Sequence, residues 1–402
     1  MLPEDQMRFM LSIFLSIPAG LLLRFLPSVS TRKIYSIVLA TALQYYVYQN
    51  ELFWALALHV VVYMVLRVRG RQSGFFVTVL SMVGLAAYHI YRLVTNYGST
   101  DIELSFILML YVSKYSLLAF AYQDGGLPDE QLKHPYQRED RVIELPSFFD
   151  FIGYLQFVPT CILNTPVDYT KYDKYIKQEG VFACVPFLES VKKTVRDLLY
   201  GLVCGGLYLI QMLYFPVNYM KDQEFFSRGL LFIVAYSFLS ISLIKFKYYF
   251  AWKLSMLPIH LCGVSYQPTT NGGDQFLGVQ TCNPWEIETT IHIREKVNNW
   301  NITVQEWLRK CVYDRVPYSK GMAQLATFVV SAFWHGAYGG YYLSFVFWFF
   351  MLYVSGLIFK FSQHEGHPVM RLYNRLQPVS FAAAWVIWNF LFTHFGLYFH
   401  LL

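Results

Sequence analysis

The chain has 402 residues, 55% of them hydrophobic and 14% charged, with a formal net charge of +6. Soluble globular proteins carry about 25% charged residues, so with a mean hydropathy of +0.35 this composition argues against a soluble multidomain protein and for a membrane class. The basic residues sit in short stretches beside apolar runs rather than on one soluble face, so no nucleic-acid partner is expected.

A bilayer core of about 30 Å needs roughly 20 apolar residues per helix. The first apolar run, from Phe9 to Leu23, has a weak basic leader and no small-residue cleavage site, so it reads as a retained membrane segment. Spans are expected at 9–27, 34–49, 52–66, 73–91 and 103–121. Arg24, Arg32 and Lys33, and then Arg67, Arg69 and Arg71, mark two basic loops separated by two helices. They share a side, and the positive-inside rule makes it cytosolic. A polar loop follows over 122–145. The stretch 146–164 contains Pro146, Gly153 and Pro159 and predicts a broken or re-entrant helix, with its freed backbone groups matched inside the protein. Further spans are expected at 198–216, 229–246, 248–265, 321–338, 340–359 and 378–402. The six cysteines show no CxxC spacing, and neither a metal site nor a disulfide framework is expected. No internal repeat is visible, and 1–402 reads as a single integral membrane domain.

Three polar clusters stand out from this apolar background. Residues 321–359 contain no Lys, Arg, Asp or Glu, and one imidazole interrupts them, His335, in SAFWHGAYGGYY. An ionisable group deep in a membrane domain is a functional candidate by default, set against a neutral histidine bonded to a carbonyl. Trp334, Tyr338, Tyr341 and Tyr342 line a cavity or simply pack, and the neighbouring glycines permit close approach of a ligand or of another helix. Upstream, residues 298–315 read NNWNITVQEWLRKCVYDR. Trp300, Val304, Trp307, Leu308 and Cys311 recur at helical spacing and predict an amphipathic helix, lying along the interface or packed on the core. Asn301 beside them is either a hydrogen-bonding group for a substrate carbonyl or a surface residue. The third cluster, KFKYYFAWKLSM at 245–256, flanks aromatic rings with Lys245, Lys247 and Lys253. These lysines suit phosphate groups, or they snorkel to the interface.

Taken together these strings resemble the membrane-bound O-acyltransferases, in their lysophospholipid acyltransferase branch. The similarity rests on FWHGAYGGYY around His335, on the Trp-Asn pair and Val-Tyr-x-Arg ending of WNITVQEWLRKCVYDR, and on KYYFAW from Lys247 to Trp252. YHIYRL (88–93), LPSFFDFIGYLQFVPT (145–160) and CNPWEIETT (282–290) extend it over nearly the whole chain. The chain departs from the pattern at Thr165, Met256 and Gly339, where relatives commonly carry Gly, an acidic residue and Pro.

The resemblance implies an all-α polytopic helical bundle, of about 10–11 spans plus broken, re-entrant and interfacial helices, around a buried catalytic chamber. It implies an O-acyltransferase that esterifies the free hydroxyl of a lysophospholipid, with acyl-CoA as co-substrate and no cofactor. His335 and Asn301 take the catalytic positions, and Trp300, Trp334, Lys247, Tyr248, Tyr249 and Tyr341 the substrate-binding ones. His335 is the expected general base, and Asn301 either orients a substrate or stabilises charge on the thioester oxygen. Membrane lipids are the implied partners and the endoplasmic reticulum the implied residence. A different acceptor (a sterol, a diacylglycerol or a protein) and a non-enzymatic lipid transporter or scramblase are the competing readings. Because Leu402 falls within an apolar run and relatives continue through another helix, a shortened form is expected.

Overall fold

The computed structural model of the protein describes residues 3–362, apart from 100, 164, 270–274 and 291. The described residues form helices and connecting turns, with no strand among them. The expected span 378–402 lies outside the described residues. Helices α1 (Glu4–Phe25), α2 (Val29–Tyr48), α3 (Leu52–Arg69), α4 (Ser73–Thr95) and α5 (Ser105–Asp124) come first. Short helices α6 (Pro135–Glu139), α7 (Phe148–Leu155) and α8 (Tyr169–Lys177) follow, then α9 (Phe187–Tyr214), α10 (Gln223–Ser227) and α11 (Leu230–Cys262). The chain continues through α12 (Pro284–Thr289), α13 (Ile293–Asn299), α14 (Ile302–Cys311), α15 (Lys320–His335) and α16 (Gly339–Ser362). Six helical stretches among the described residues are long and apolar enough to cross a membrane, and the second of them, 29–95, contains α2, α3 and α4.

Several expected spans change on inspection. The runs 229–246 and 248–265 are one helix, α11, of 33 residues. Nothing between them is a turn residue, and Lys245 is 2% exposed and ion-paired within the protein. Helix α15 has 16 residues, fewer than the roughly 20 that a full crossing needs. Arg32 and Lys33 are not loop residues: they lie in the first turn of α2, where Arg32 donates to Ile176 O at 2.7 Å and Lys33 pairs with Asp150. The amphipathic helix does not include Trp300 and Asn301. It begins at Ile302, after a break that follows α13.

The described chain divides into two compact units. The first comprises residues 1–198, 253–281 and 303–315. Within it α4 lies so close to α5 that a Cβ built on Gly74 would stand 2.6 Å from the Phe120 ring. The expected broken helix is here. Ser147 caps α7 by accepting from Asp150 N at 3.1 Å, and the helix stops at Leu155 before a 3-10 turn at Val158–Thr160. Several of its released backbone groups find side chains. Lys114, buried on α5, donates to Tyr154 O (3.0 Å), Leu155 O (3.1 Å) and Thr160 Oγ1 (2.9 Å). Val158 N donates to Ser36 Oγ at 2.8 Å, and Cys161 O accepts from Gln44 Nε2 at 3.1 Å.

Helix α14 is fixed to this unit by both its faces. Val304, Trp307, Leu308 and Cys311 are buried, and Trp307 Nε1 donates to Ser116 Oγ at 2.6 Å. On the polar side Lys310 bridges Asp140 (2.8 Å) and Asp168 (2.9 Å). Burial opposes the Lys310 charge, but Asp168 and Asp140 together hold its ammonium above the usual lysine range. Past the helix, Arg315 places both terminal nitrogens on the Asp124 carboxylate at 2.7 Å, with its guanidinium 4.5 Å from the centre of the Phe120 ring. Asp124 is 2% exposed. Removing one member of a buried pair leaves the other charge uncompensated, at a cost of about 3–5 kcal/mol. Asp124→Asn should therefore lower the thermal midpoint of the detergent-solubilised protein by several degrees, read by scanning fluorimetry.

Candidate active site

Among the described residues, the second unit comprises 199–252, 282–302 and 316–362. All eight residues singled out by sequence lie in it. They fall into two groups, one built on α11 and α13 and one on α15 and α16.

The first group centres on Trp300. Lys247, Tyr248, Tyr249 and Trp252 lie within two turns of α11, so residues three and four apart share a face. Trp300 follows α13 and sets its ring against that face. It meets Trp252 edge-on at 4.7 Å and 82°, Tyr248 at 5.7 Å and Tyr249 at 5.8 Å. Edge-to-face pairs of this kind contribute about 0.5–1.5 kcal/mol beyond the area they bury. Cys204, Tyr249, Cys282 and Ile287 form the buried cluster behind them. The Trp-Asn string and the KYYFAW string, about 50 residues apart in sequence, are thus one packing unit.

Asn301 is seated by this packing and is itself unusual. Its φ is +49°, the left-handed region that asparagine tolerates better than most residues but that still requires support from its surroundings. Its Oδ1 is buried with no hydrogen-bond partner among the described residues, an uncommon state for a buried polar atom.

The lysines separate. Lys245 donates to Glu288 at 2.6 Å, and Lys253, in the first unit, stands 3.4 Å from Asp197. Neither fits the reading of a free interfacial cation. Lys247 is exposed and no described carboxylate pairs with it. Tyr249 is fully buried, and its hydroxyl donates to Glu288 at 2.8 Å. Lys296 on α13 donates to Ile287 O at 2.7 Å. Burial pulls its ammonium down to about 8, against the opposing influence of Glu288.

The second group surrounds His335, the last residue of α15. Ser319 caps the start of that helix by accepting from Met322 N at 3.3 Å. At the other end Gly336 has φ 148° and ψ −174°, a conformation essentially confined to glycine and costing other residues about 1–3 kcal/mol. Gly336 therefore ends the helix and turns the chain directly after the histidine. The imidazole is half-buried, stacked on Tyr341 (5.5 Å, 19°) and Phe345 (5.2 Å, 27°), with Trp334 edge-on at 4.8 Å. Tyr341 and Phe345 are four apart on α16, and Trp334 is 1% exposed.

Sequence reading missed three contributors: Glu288, Trp252 and Phe345. Trp252 and Glu288 were present in the quoted strings, but nothing in a string says which side chains face each other. Phe345 lies one helical turn beyond Tyr341, a spacing that could have found it.

The sequence profile of MBOAT, the membrane-bound O-acyltransferase family, matches residues 31–400. Lysophospholipid acyltransferase 6 of Drosophila melanogaster is 26% identical over 331 residues, covering 78% of this chain and 46% of the relative. Lysophospholipid acyltransferase 2 of Arabidopsis thaliana is 26% identical over 406 residues, covering 96% of this chain and 85% of the relative. Lysophospholipid acyltransferase of Saccharomyces cerevisiae is 30% identical over 293 residues, covering 65% and 46%. The match thus spans about half the length of the fly and yeast relatives and most of the plant one. With its long apolar helices and a profile match across nearly all of its length, the chain is an integral membrane protein and belongs to the membrane-bound O-acyltransferase family.

Proposed function

We propose that the protein transfers an acyl group from acyl-CoA to the free hydroxyl of a lysophospholipid, in the endoplasmic reticulum membrane. The observation that carries the reading is Asn301, held in a left-handed turn with a buried acceptor and no partner. Support comes from the names of the relatives, which describe lysophospholipid acyltransferases, and from the half-exposed imidazole of His335 between its aromatic neighbours.

In this reaction His335 takes the proton from the lysophospholipid hydroxyl as its oxygen attacks the thioester carbonyl. The tetrahedral intermediate collapses, the carbon–sulfur bond breaks, and the thiolate of CoA takes the proton back from the imidazolium. The products are a diacyl phospholipid and CoA, and no external acid, base or metal is consumed. The unmatched atom of Asn301 is an acceptor. Oδ1 can hold a donor hydrogen, from the acceptor hydroxyl or an amide of CoA, and the amide nitrogen of the same side chain can donate to the oxyanion. Trp300 and Trp334 seat the two catalytic residues, Tyr248 and Tyr341 flank them, and Lys247 is the cation available to a phosphate group. A chamber open to both cytosol and bilayer would bring the two substrates to His335.

The test is purified protein with acyl-CoA and lysolipid, followed by a thiol reagent for released CoA and by mass spectrometry of the lipid. Wild-type protein should release one CoA per diacyl phospholipid formed. Release of CoA with a sterol, a diacylglycerol or a protein instead would move the assignment to another acceptor. No release with any acceptor would leave a transporter or scramblase. His335→Ala should lower turnover by about 10²–10⁴, the usual worth of a general base, while the purified protein keeps its thermal midpoint. Asn301→Ala should lower it by about 10²-fold. Wild-type kinetics in either variant would exclude that residue from the reaction.

A further inference from the structure

Glu288, in α12 of the second unit, is an acid that the proposed reaction does not use. Its carboxylate is held at both oxygens. Oε2 accepts from Lys245 Nζ at 2.6 Å, and Oε1 accepts from the Tyr249 hydroxyl at 2.8 Å. Lys245 and Tyr249 are four residues apart on α11, so they project from one face, and they are 2% and 0% exposed. Lys296, on α13, is 1% exposed and donates to the carbonyl of Ile287, the residue before Glu288. One carboxylate therefore stands among two buried ammonium groups and a phenol, and ties α12 and α13 to one face of α11. Without its charge, Lys245 would lack the carboxylate that compensates it in an apolar interior.

The phenol links this cluster to the reaction. The Tyr249 ring meets Trp300 at 5.8 Å and 66°, and Trp300 directly precedes Asn301. A left-handed asparagine persists only where its surroundings determine it. We propose that Glu288 is a positioning residue for Asn301: by fixing Lys245 and the Tyr249 hydroxyl, it holds the aromatic seat of Trp300 and with it the turn at Asn301. Glu288 touches no substrate. The proposal rests on the transferase reading for its kinetic consequence but not for its geometry, and the two are tested separately.

Two variants of the full chain are compared with wild type in the same detergent. Tyr249→Phe deletes one hydrogen bond and keeps both the ring and the ion pair. Glu288→Gln keeps the side-chain shape and removes the charge. The first readout is hydrogen exchange of the peptide covering 297–303, where Trp300 N donates to Val297 O at 3.1 Å. Both variants should exchange there about fivefold faster or more, with the α1–α5 peptides unchanged. The second readout is transfer kinetics. kcat should fall about tenfold or more, with KM for both substrates within about twofold, because orientation in the transition state is lost and ground-state binding is not. Should Glu288→Gln fail to fold, Tyr249→Phe alone decides. Wild-type exchange across 297–303 in Tyr249→Phe overturns the positioning role. Faster exchange with unchanged kcat overturns the link to Asn301. A wild-type protein that releases no CoA sinks the transferase reading, and the exchange data then decide the positioning role by themselves.

Discussion

A polar group taken out of water without a partner costs several kcal/mol, and at membrane depth no solvent is present to supply one. In the first unit this constraint explains why the chain can break a helix at Leu155 at all. Two carbonyls released by the end of α7 are taken by Lys114, an amide by Ser36 and a third carbonyl by Gln44. Each partner comes from a different turn of α2 or α5, so side chains of the neighbouring helices bond the irregular segment. Lys114 is less an isolated charge than a three-pronged donor for a helix end.

Among the described residues this accounting leaves ten buried side-chain atoms unmatched, and one of them is on Asn301. Asn301 keeps a buried acceptor unmatched and a left-handed backbone at once, although each feature alone is unfavourable. The surrounding structure supplies what holds it there. Trp300 is wedged among three aromatic rings of α11, and those rings stand on a cluster in which Glu288 binds Lys245 and Tyr249. Stability gathered in the packing is retained as strain at one residue, which is the pattern expected of a preorganised binding group.

Much of this was legible in the sequence, for identifiable reasons. Long apolar runs announce membrane helices because length and hydropathy are local properties, and Pro146, Gly153 and Pro159 announced the broken segment. His335 was visible because an imidazole in a run of 39 residues without Lys, Arg, Asp or Glu has no bland surroundings to hide in. What failed was local evidence about non-local matters. Lys245 and Lys247 look alike in KFKYY, yet one is sealed against Glu288 and the other is exposed; only the fold brings residue 288 to residue 245. Trp300 fits the amphipathic periodicity of α14, but the periodicity could not reveal that the chain breaks at Asn301 and restarts.

The two groups proposed to act on substrate both sit where a helix stops. His335 is the last residue of α15, stopped by a Gly336 conformation that other residues avoid, and Asn301 occupies the break between α13 and α14. Within a helix, the backbone is bonded to itself and a side chain can only face its neighbours. At an end, the side chain can project past the helix toward space that a ligand can fill. For His335 the end has a second consequence. The carbonyl terminus of a helix favours positive charge, and a general base becomes a cation at the moment it acts.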